Sequence, residues 1–212
     1  LIDDISLEEY SLISVDKHLL PQIELRSKAK REYLYPVSTS HILGYLGKVS
    51  DSDIYSDVVK VQEGMTEIGK LGIERFYQNI LSGQPGFEKL ETDALGEIIR
   101  TVETKEPKRG DDIFLTIDIK LQEYVYNLMR NKEGSVVIMN PKNGDILTLV
   151  SAPGYDINLF TKSISSKNYN QLLNDVRKPM INRALNGQYP PGSTLKPFIG
   201  LIALEEGIIN SD

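Results

Sequence analysis

"GSVVIMNPKNGDILTLVS", residues 134 to 151, reads as two apolar strands folded about Pro141-Lys142-Asn143-Gly144. Asn-Gly between two runs rich in Val, Ile and Leu is the strongest short-range hairpin signal, because a two-residue turn needs backbone angles that these two residues tolerate. Just upstream, "IFLTID", residues 113 to 118, reads as a strand running into a capped helix whose apolar stripe is Leu121, Val125, Leu128 and Met129. Downstream the pattern is mostly helical. Helix, antiparallel hairpin and helical stretch together predict the opening of an α/β or α+β domain whose remaining strands are not in this chain, and α+β is the expected fold class.

Working back toward the start, the charged run "ETKEPKRGDD", residues 103 to 112, is poor in apolar residues and holds Pro107 and Gly110. It predicts a boundary, with one domain over 1–108 and a second over 109–212. In the first, residues 7–18 read as helix and 22–28 as extended chain. The set Ile73, Phe76, Tyr77, Ile80 and Leu81 recurs at helical spacing, predicting one buried helix face ended by Gly83, Pro85 and Gly86. Two strands at about 86–92 and 97–104 follow, joined through Asp93-Ala94-Leu95-Gly96.

With 212 residues, 40% hydrophobic and 25% charged, the chain has the composition of a folded protein of one large or two small domains. A net charge of -6 and the lack of a basic stripe argue against nucleic acid as a partner. There is no cysteine for a disulfide framework or thiolate chemistry, and two histidines, His18 and His41, are too few for a metal cage, so neither cofactor nor metal is expected. No stretch approaches the ~18 apolar residues of a membrane span, and no signal peptide is visible. The start at Leu1 and the stop just after a helical segment suggest a piece of a longer protein.

Three pairs have a serine followed three residues later by a lysine: Ser14 with Lys17, Ser27 with Lys30, and Ser193 with Lys196. Such a pair arises by chance about once in a couple of hundred residues, so context must choose. Ser14 and Ser27 lie in plain helix-like and strand-like segments. Ser193 instead follows Pro190-Pro191-Gly192, a rigid approach with a glycine that permits a sharp turn, and a helix is predicted to begin at or next to it. Pro197 fits the first helical turn, where it forfeits only the bond to the carbonyl of Ser193. Leu195, Phe198, Ile199 and Ile202 form one expected apolar face, and Ser193, Lys196, Gly200 and Ala203 another.

One helical turn brings the lysine amine within reach of the serine hydroxyl. A neutral Lys196, favoured by burial and by the helix N-terminus, would take the hydroxyl proton and leave Ser193 an acylating nucleophile. The alternative is that Ser193 caps a helix whose Lys196 is solvated. Local physics leaves both open.

The stretch "NRALNGQYPPGSTLKPF" resembles the active-site region of class B penicillin-binding proteins, which carry a serine-x-x-lysine motif. The similarity extends to "IGKLGIERFYQNILSGQPG", "LTIDIKLQ", "GSVVIMNPKNGDILTLVSAPGYDINLF" and "SISSKNYNQLLND", from about residue 20 onward, and is greatest to the elongation-specific peptidoglycan D,D-transpeptidases of Gram-negative bacteria. The resemblance implies an enzyme on the periplasmic face of the inner membrane, held by an anchor outside this chain, that cross-links peptidoglycan stem peptides. Ser193 would attack the D-Ala-D-Ala carbonyl, Lys196 would accept its proton, and beta-lactams would acylate Ser193. Residues 1–108 would be the non-catalytic pedestal that meets the polytopic glycosyltransferase and scaffold proteins of the elongation complex, and 109–212 the first, incomplete part of the transpeptidase domain.

The family also needs a serine-x-asparagine and a lysine-threonine-glycine motif after the nucleophile, and neither follows Lys196 here. Ser166-Lys167-Asn168 precedes it, and Lys142-Asn143-Gly144 belongs to the hairpin turn, so both are read as structural. The chain by itself is therefore expected to be inactive. A second reading makes it a protein-binding module of the elongation machinery. A third, a beta-lactamase or beta-lactam sensor, is disfavoured by the pedestal-like upstream region. His41 and Arg183 are expected to be structural hydrogen-bonding or ion-pairing residues rather than catalytic ones.

Overall fold

A computed structural model describes residues 5–20, 22–23, 25, 30–55, 61–95, 98–161 and 164–210. The chain divides into two compact units, Leu1–Glu32 and Tyr33–Asp212. In the first, helix α1 (Leu7–Val15) starts where Ser6 and Glu9 cap each other. The Glu9 N–H donates to Ser6 Oγ at 3.1 Å, and the Ser6 N–H donates to the Glu9 carboxylate at 2.7 Å. A 3-10 turn, Lys17–Leu19, ends it, so Ser14 and Lys17 lie on an ordinary exposed helix end. Most of the expected extended piece at 22–28, with Ser27, lies outside the described residues.

The second unit opens with helix α2 (Ser40–Leu43) and strand β1 (Leu46–Lys48). Helix α3 (Asp51–Ile54) follows, then β2 (Glu67–Gly69), which pairs antiparallel with β1. The single helix expected from Ile73 is two short ones, α4 (Gly72–Phe76) and α5 (Gln78–Leu81), interrupted at Tyr77. Its expected apolar face is not the buried one: Phe76 is 74% exposed, while Glu74 and Gln78 are buried. The reason is hydrogen bonding. Gln78 Oε1 accepts the Gly69 N–H at 2.7 Å, and Glu74 accepts the Tyr33 hydroxyl at 3.1 Å. A small two-stranded sheet leaves donors that only polar side chains can satisfy.

The two strands expected here are β3 (Phe87–Thr92) and β4 (Ile98–Lys105), which pair antiparallel with two register irregularities. Every described residue of both strands is exposed. Beyond it, residues 113–118 do not form the expected strand. Thr116 Oγ1 and the Asp118 N–H donate to the carbonyls of Ile146 and Leu147, and Phe114 stands 93% exposed.

Asp118 then caps helix α6 (Ile119–Leu128) by accepting the N–H groups of Lys120 and Leu121. Strands β5 (Gly134–Met139) and β6 (Ile146–Ala152) make the hairpin read from the sequence, with Gly144 at φ +81° in the turn. Val125 of α6 packs on Val150 and Ala152, with Leu121, Met129, Val136 and Ile138 around them. Leu128, expected in this stripe, is 57% exposed; Gln122 is buried instead. Its amide donates to the carbonyls of Ser38 and Leu149 and accepts the Leu149 N–H, so it supplies backbone partners that a leucine lacks.

A second cluster joins Tyr33, Tyr155 and Ile157 with Leu43, Tyr45, Phe160, Leu172 and Met180. Residues 33–45 therefore share a core with residues 155–180. Helices α7 (Ser166–Asn174), α8 (Arg183–Asn186) and α9 (Lys196–Glu205) complete the order, with a 3-10 turn, Gly192–Leu195, before α9. All strand pairs among the described residues are antiparallel, and with the helices they give the expected α+β class.

Candidate active site

The backbone reaches Ser193 through two constrained glycines. At Gly187, just after α8, a Cβ would stand 2.4 Å from the Arg183 carbonyl oxygen and 2.5 Å from the Tyr189 ring, so no side chain fits. At Gly192, φ is +55°, the left-handed region that costs glycine little. Ser193 then lies in the 3-10 turn, and α9 begins at Lys196. In a 3-10 turn each residue stands above the one three along, which brings Ser193 and Lys196 to one side. Thr194 steadies the turn, its hydroxyl and N–H both donating to the Pro191 carbonyl.

Pro197 sits in the first turn of α9, as expected. It leaves the Ser193 carbonyl without its usual i+4 donor, and the Lys196 N–H takes that place. The Ser193 N–H has no backbone acceptor among the described residues, so it points out of the start of the helix as a free donor.

Ser193 and Lys196 are both exposed, and no hydrogen bond joins their side chains. The expected apolar face of α9 is also open: Leu195, Phe198, Ile199 and Ile202 are between 45% and 63% exposed. On the other face, nothing lies within 4 Å of a Cβ built at Gly200. The burial on which a neutral lysine was expected to depend is therefore not supplied by the described residues.

His41 and Arg183 have the structural roles read from the sequence. The His41 Nε2–H donates to the Pro179 carbonyl at 2.8 Å, which fixes the tautomer, and Nδ1 faces Ser40 Oγ at 3.2 Å. Burial pushes the His41 imidazole down to about 4; the bond to Pro179 opposes this and the Arg183 charge adds to it. The Arg183 guanidinium donates to the carbonyls of Lys178 and Arg177 and lies 3.6 Å from the Glu133 carboxylate. Ser166-Lys167-Asn168 begins α7, where the Asn168 N–H donates to Ser165 Oγ, and Lys142-Asn143-Gly144 forms the hairpin turn, so both triplets serve local structure.

Sequence reasoning missed Ser151, Asn182 and Asp53. The Ser151 hydroxyl donates to the Ile181 carbonyl at 3.1 Å and accepts the Arg183 N–H at 2.9 Å. Asn182 caps α8 by accepting the Leu185 N–H and donates to the His41 carbonyl at 3.1 Å. Asn182 before a short apolar run is a cap signal that could have been read; Ser151, inside a strand, gives none. Asp53 is buried, which by itself would raise its carboxyl, but hydrogen bonds from Lys70 and from the Ser50 hydroxyl and N–H pull it down to about 2. Ser50-Asp51-Ser52-Asp53 is a readable capping pattern. Among the described residues no group of three or more His, Cys, Asp or Glu could hold a metal ion, and no helix is long and apolar enough to cross a membrane.

Residues 1–115 match the family model of the penicillin-binding protein dimerisation domain, and residues 134–212 that of the penicillin binding protein transpeptidase domain. The peptidoglycan D,D-transpeptidase MrdA of Haemophilus influenzae is 44% identical over 206 residues, which cover 95% of this chain. The MrdA of Escherichia coli K12 is 42% identical over 200 residues, 92% of this chain. The chain spans about a third of these relatives, 32% of each. Among solved structures, the Helicobacter pylori PBP2 in complex with MreC aligns with a TM-score of 0.79 and 32% identity, over 96% of this chain and 38% of that one. The Pseudomonas aeruginosa PBP2 in complex with WCK 5153 aligns at 0.71 and 35% identity, over 88% and 38%. The antiparallel hairpin under α6, the glycine-kinked serine-x-x-lysine turn and the two consecutive family matches agree: the chain belongs to the penicillin-binding proteins, with a dimerisation-domain segment followed by a transpeptidase-domain segment.

Proposed function

We propose that the whole protein is a serine-type peptidoglycan D,D-transpeptidase of cell elongation and that Ser193 is its nucleophile, with Lys196 as proton acceptor. The observation that carries the reading is local. Ser193 sits on a glycine-kinked turn at the start of α9, its own N–H free and Lys196 three residues on, inside the transpeptidase-matched segment. The Ser193 oxygen bonds to the carbonyl carbon of the D-Ala-D-Ala peptide while Lys196 takes its proton. The peptide C–N bond breaks, and the terminal D-alanine leaves with that proton. An amine from a second stem peptide then attacks the same carbonyl carbon, the bond to the Ser193 oxygen breaks, and the amine proton passes through Lys196 back to Ser193, which leaves the cross-link and the free enzyme. The free Ser193 N–H serves as one donor to the oxyanion.

In this reading residues 1–108 are the pedestal and 109–212 the first part of the transpeptidase domain. Beta-lactams acylate Ser193, because their strained amide presents the same carbonyl. The location is the periplasmic face of the inner membrane, which the similarity to MrdA proteins supports. The pedestal meets scaffold and glycosyltransferase partners of the elongation complex; the likeness to a PBP2 solved with MreC favours a protein-binding role alongside the enzymatic one.

The complete protein, incubated with a fluorescent penicillin, is expected to take up label in a 1:1 ratio at Ser193, and Ser193→Ala to take up none. Label persisting in Ser193→Ala would remove the assignment. The isolated 212 residues are expected to stay unlabelled, since Ser193 and Lys196 are exposed and not bonded to each other. Stoichiometric labelling of the isolated chain would show that no further wall is needed.

A further inference from the structure

Neither Ser193 nor Lys196 holds itself in place through its side chain, so the position of the nucleophile depends on where the backbone is fixed upstream. The nearest densely bonded stretch is residues 177–183, and it is gripped from three sides. From β6, Ser151 bonds both the Ile181 carbonyl and the Arg183 N–H. From within, the Arg183 guanidinium closes on the carbonyls of Arg177 and Lys178, where Lys178 stands at φ +46°. From α2, His41 donates to the Pro179 carbonyl at 2.8 Å, while Asn182 donates back to the His41 carbonyl at 3.1 Å.

This third grip differs from the other two. His41 lies in the segment matched by the dimerisation model, and Pro179 and Asn182 lie in the segment matched by the transpeptidase model. The paired bonds form a latch across the two matched segments, about 140 residues apart in sequence. His41 is clamped further by the Tyr155 ring, which stands nearly perpendicular to it with centroids 5.5 Å apart. The Asn182 side chain also caps α8, after which Gly187 leads the chain, against the Arg183 carbonyl and the Tyr189 ring, toward Gly192 and Ser193.

We infer that His41 and Asn182 are positioning residues for acylation: their latch fixes the entry to α8 and so the approach of the backbone to Ser193. The inference rests on Ser193 being the nucleophile. Neither residue touches the reacting atoms. A displacement of the order of 1 Å at a reacting group is enough to slow a reaction by about 100-fold, so loosening the latch is felt at Ser193 without contact.

The test uses the complete protein and three variants. His41→Gln keeps an N–H donor near the place of Nε2, His41→Met keeps bulk without a donor, and Asn182→Asp keeps the cap of α8 but removes the donor to the His41 carbonyl. The second-order rate of labelling by fluorescent penicillin is expected to fall about 10- to 100-fold in His41→Met and Asn182→Asp, with His41→Gln within about threefold of the parent. Parent-like rates in His41→Met and Asn182→Asp, or a His41→Gln as slow as His41→Met, would overturn the latch. Hydrogen exchange of the amides of residues 187–195 reads it independently of chemistry. Exchange is expected to quicken in Asn182→Asp, which keeps its cap and its fold, and unchanged exchange would overturn the proposal even if His41→Met failed to fold. Loss of label in the parent protein would instead strike the nucleophile assignment and leave the exchange result to judge the latch.

Discussion

His41, half-buried, and Asp53, buried, are ionisable groups of opposite kind, and each makes stability depend on pH in its own window. The His41 ring, ordinarily near 6.5, is held at about 4, so the unfolded chain binds its proton first as the pH falls. The stability that comes from burying the neutral ring is whole above about 6.5 and is lost toward 4. Asp53, pulled from 3.8 to about 2, contributes stability that is whole above about 3.8 and lost as the pH falls through 2. Denaturant unfolding of the isolated chain is therefore expected to show two successive losses in acid, about 3 kcal/mol from His41 and about 2 kcal/mol from Asp53. His41→Gln should remove the upper loss and leave the lower; a pH profile unchanged by His41→Gln would refute the assignment. At this scale the sequence was legible where glycine and proline punctuate it, as at Ser193, or where a short polar side chain caps a helix. Gln122 and Gln78 were not legible. A glutamine at a helical position reads as solvent-facing, and only the carbonyl of Ser38, 84 residues earlier, and the backbone of Leu149 make a polar residue the right one at 122.

Elements built on hydrophobic alternation and turn chemistry were readable. The β5–β6 hairpin appears where Asn143-Gly144 puts it, and β3–β4 lie on either side of Asp93-Ala94-Leu95, Gly96 of the expected link being outside the described residues. Elements held by distant polar partners were not. The helix expected from Ile73 breaks at Tyr77 because Glu74 and Gln78 turn inward to bond Tyr33 and Gly69, taking the buried face from Phe76. Residues 113–118 stay irregular because two bonds tie them to the start of β6 in place of a full ladder. Gln122→Leu tests this picture of α6. It would leave the Ser38 carbonyl and both backbone groups of Leu149 without a partner, and the expected cost is about 2–4 kcal/mol in thermal or denaturant unfolding, despite the more hydrophobic side chain. A Gln122→Leu protein as stable as the parent would mean that the amide is not what holds α6 on β6.

Across the molecule, buried and open surface are unevenly shared. Residues 33–45 and 118–183 make the cores, whereas α9 exposes Phe198, Ile199, Leu201 and Ile202 on several sides at once. A helix apolar all round is suited to the inside of a core, and an exposed one is sticky. The isolated chain is expected to self-associate through α9, and the double change Phe198→Glu with Ile202→Glu to shift it toward monomer in light scattering at equal concentration. Association unaffected by these charges would place the contact elsewhere, for example on the fully exposed β3–β4 hairpin. The β5–β6 sheet is asymmetric in another sense. The outer side of β6 is sealed by Thr116, Asp118 and the Gln122 amide, which occupy the backbone groups of Ile146, Leu147 and Leu149. Among the described residues the outer side of β5 has no such seal. The sheet is thus a one-way template: any strand that joins it must dock beside β5, and the same seal denies β6 to stray edges that would pair there and propagate aggregates.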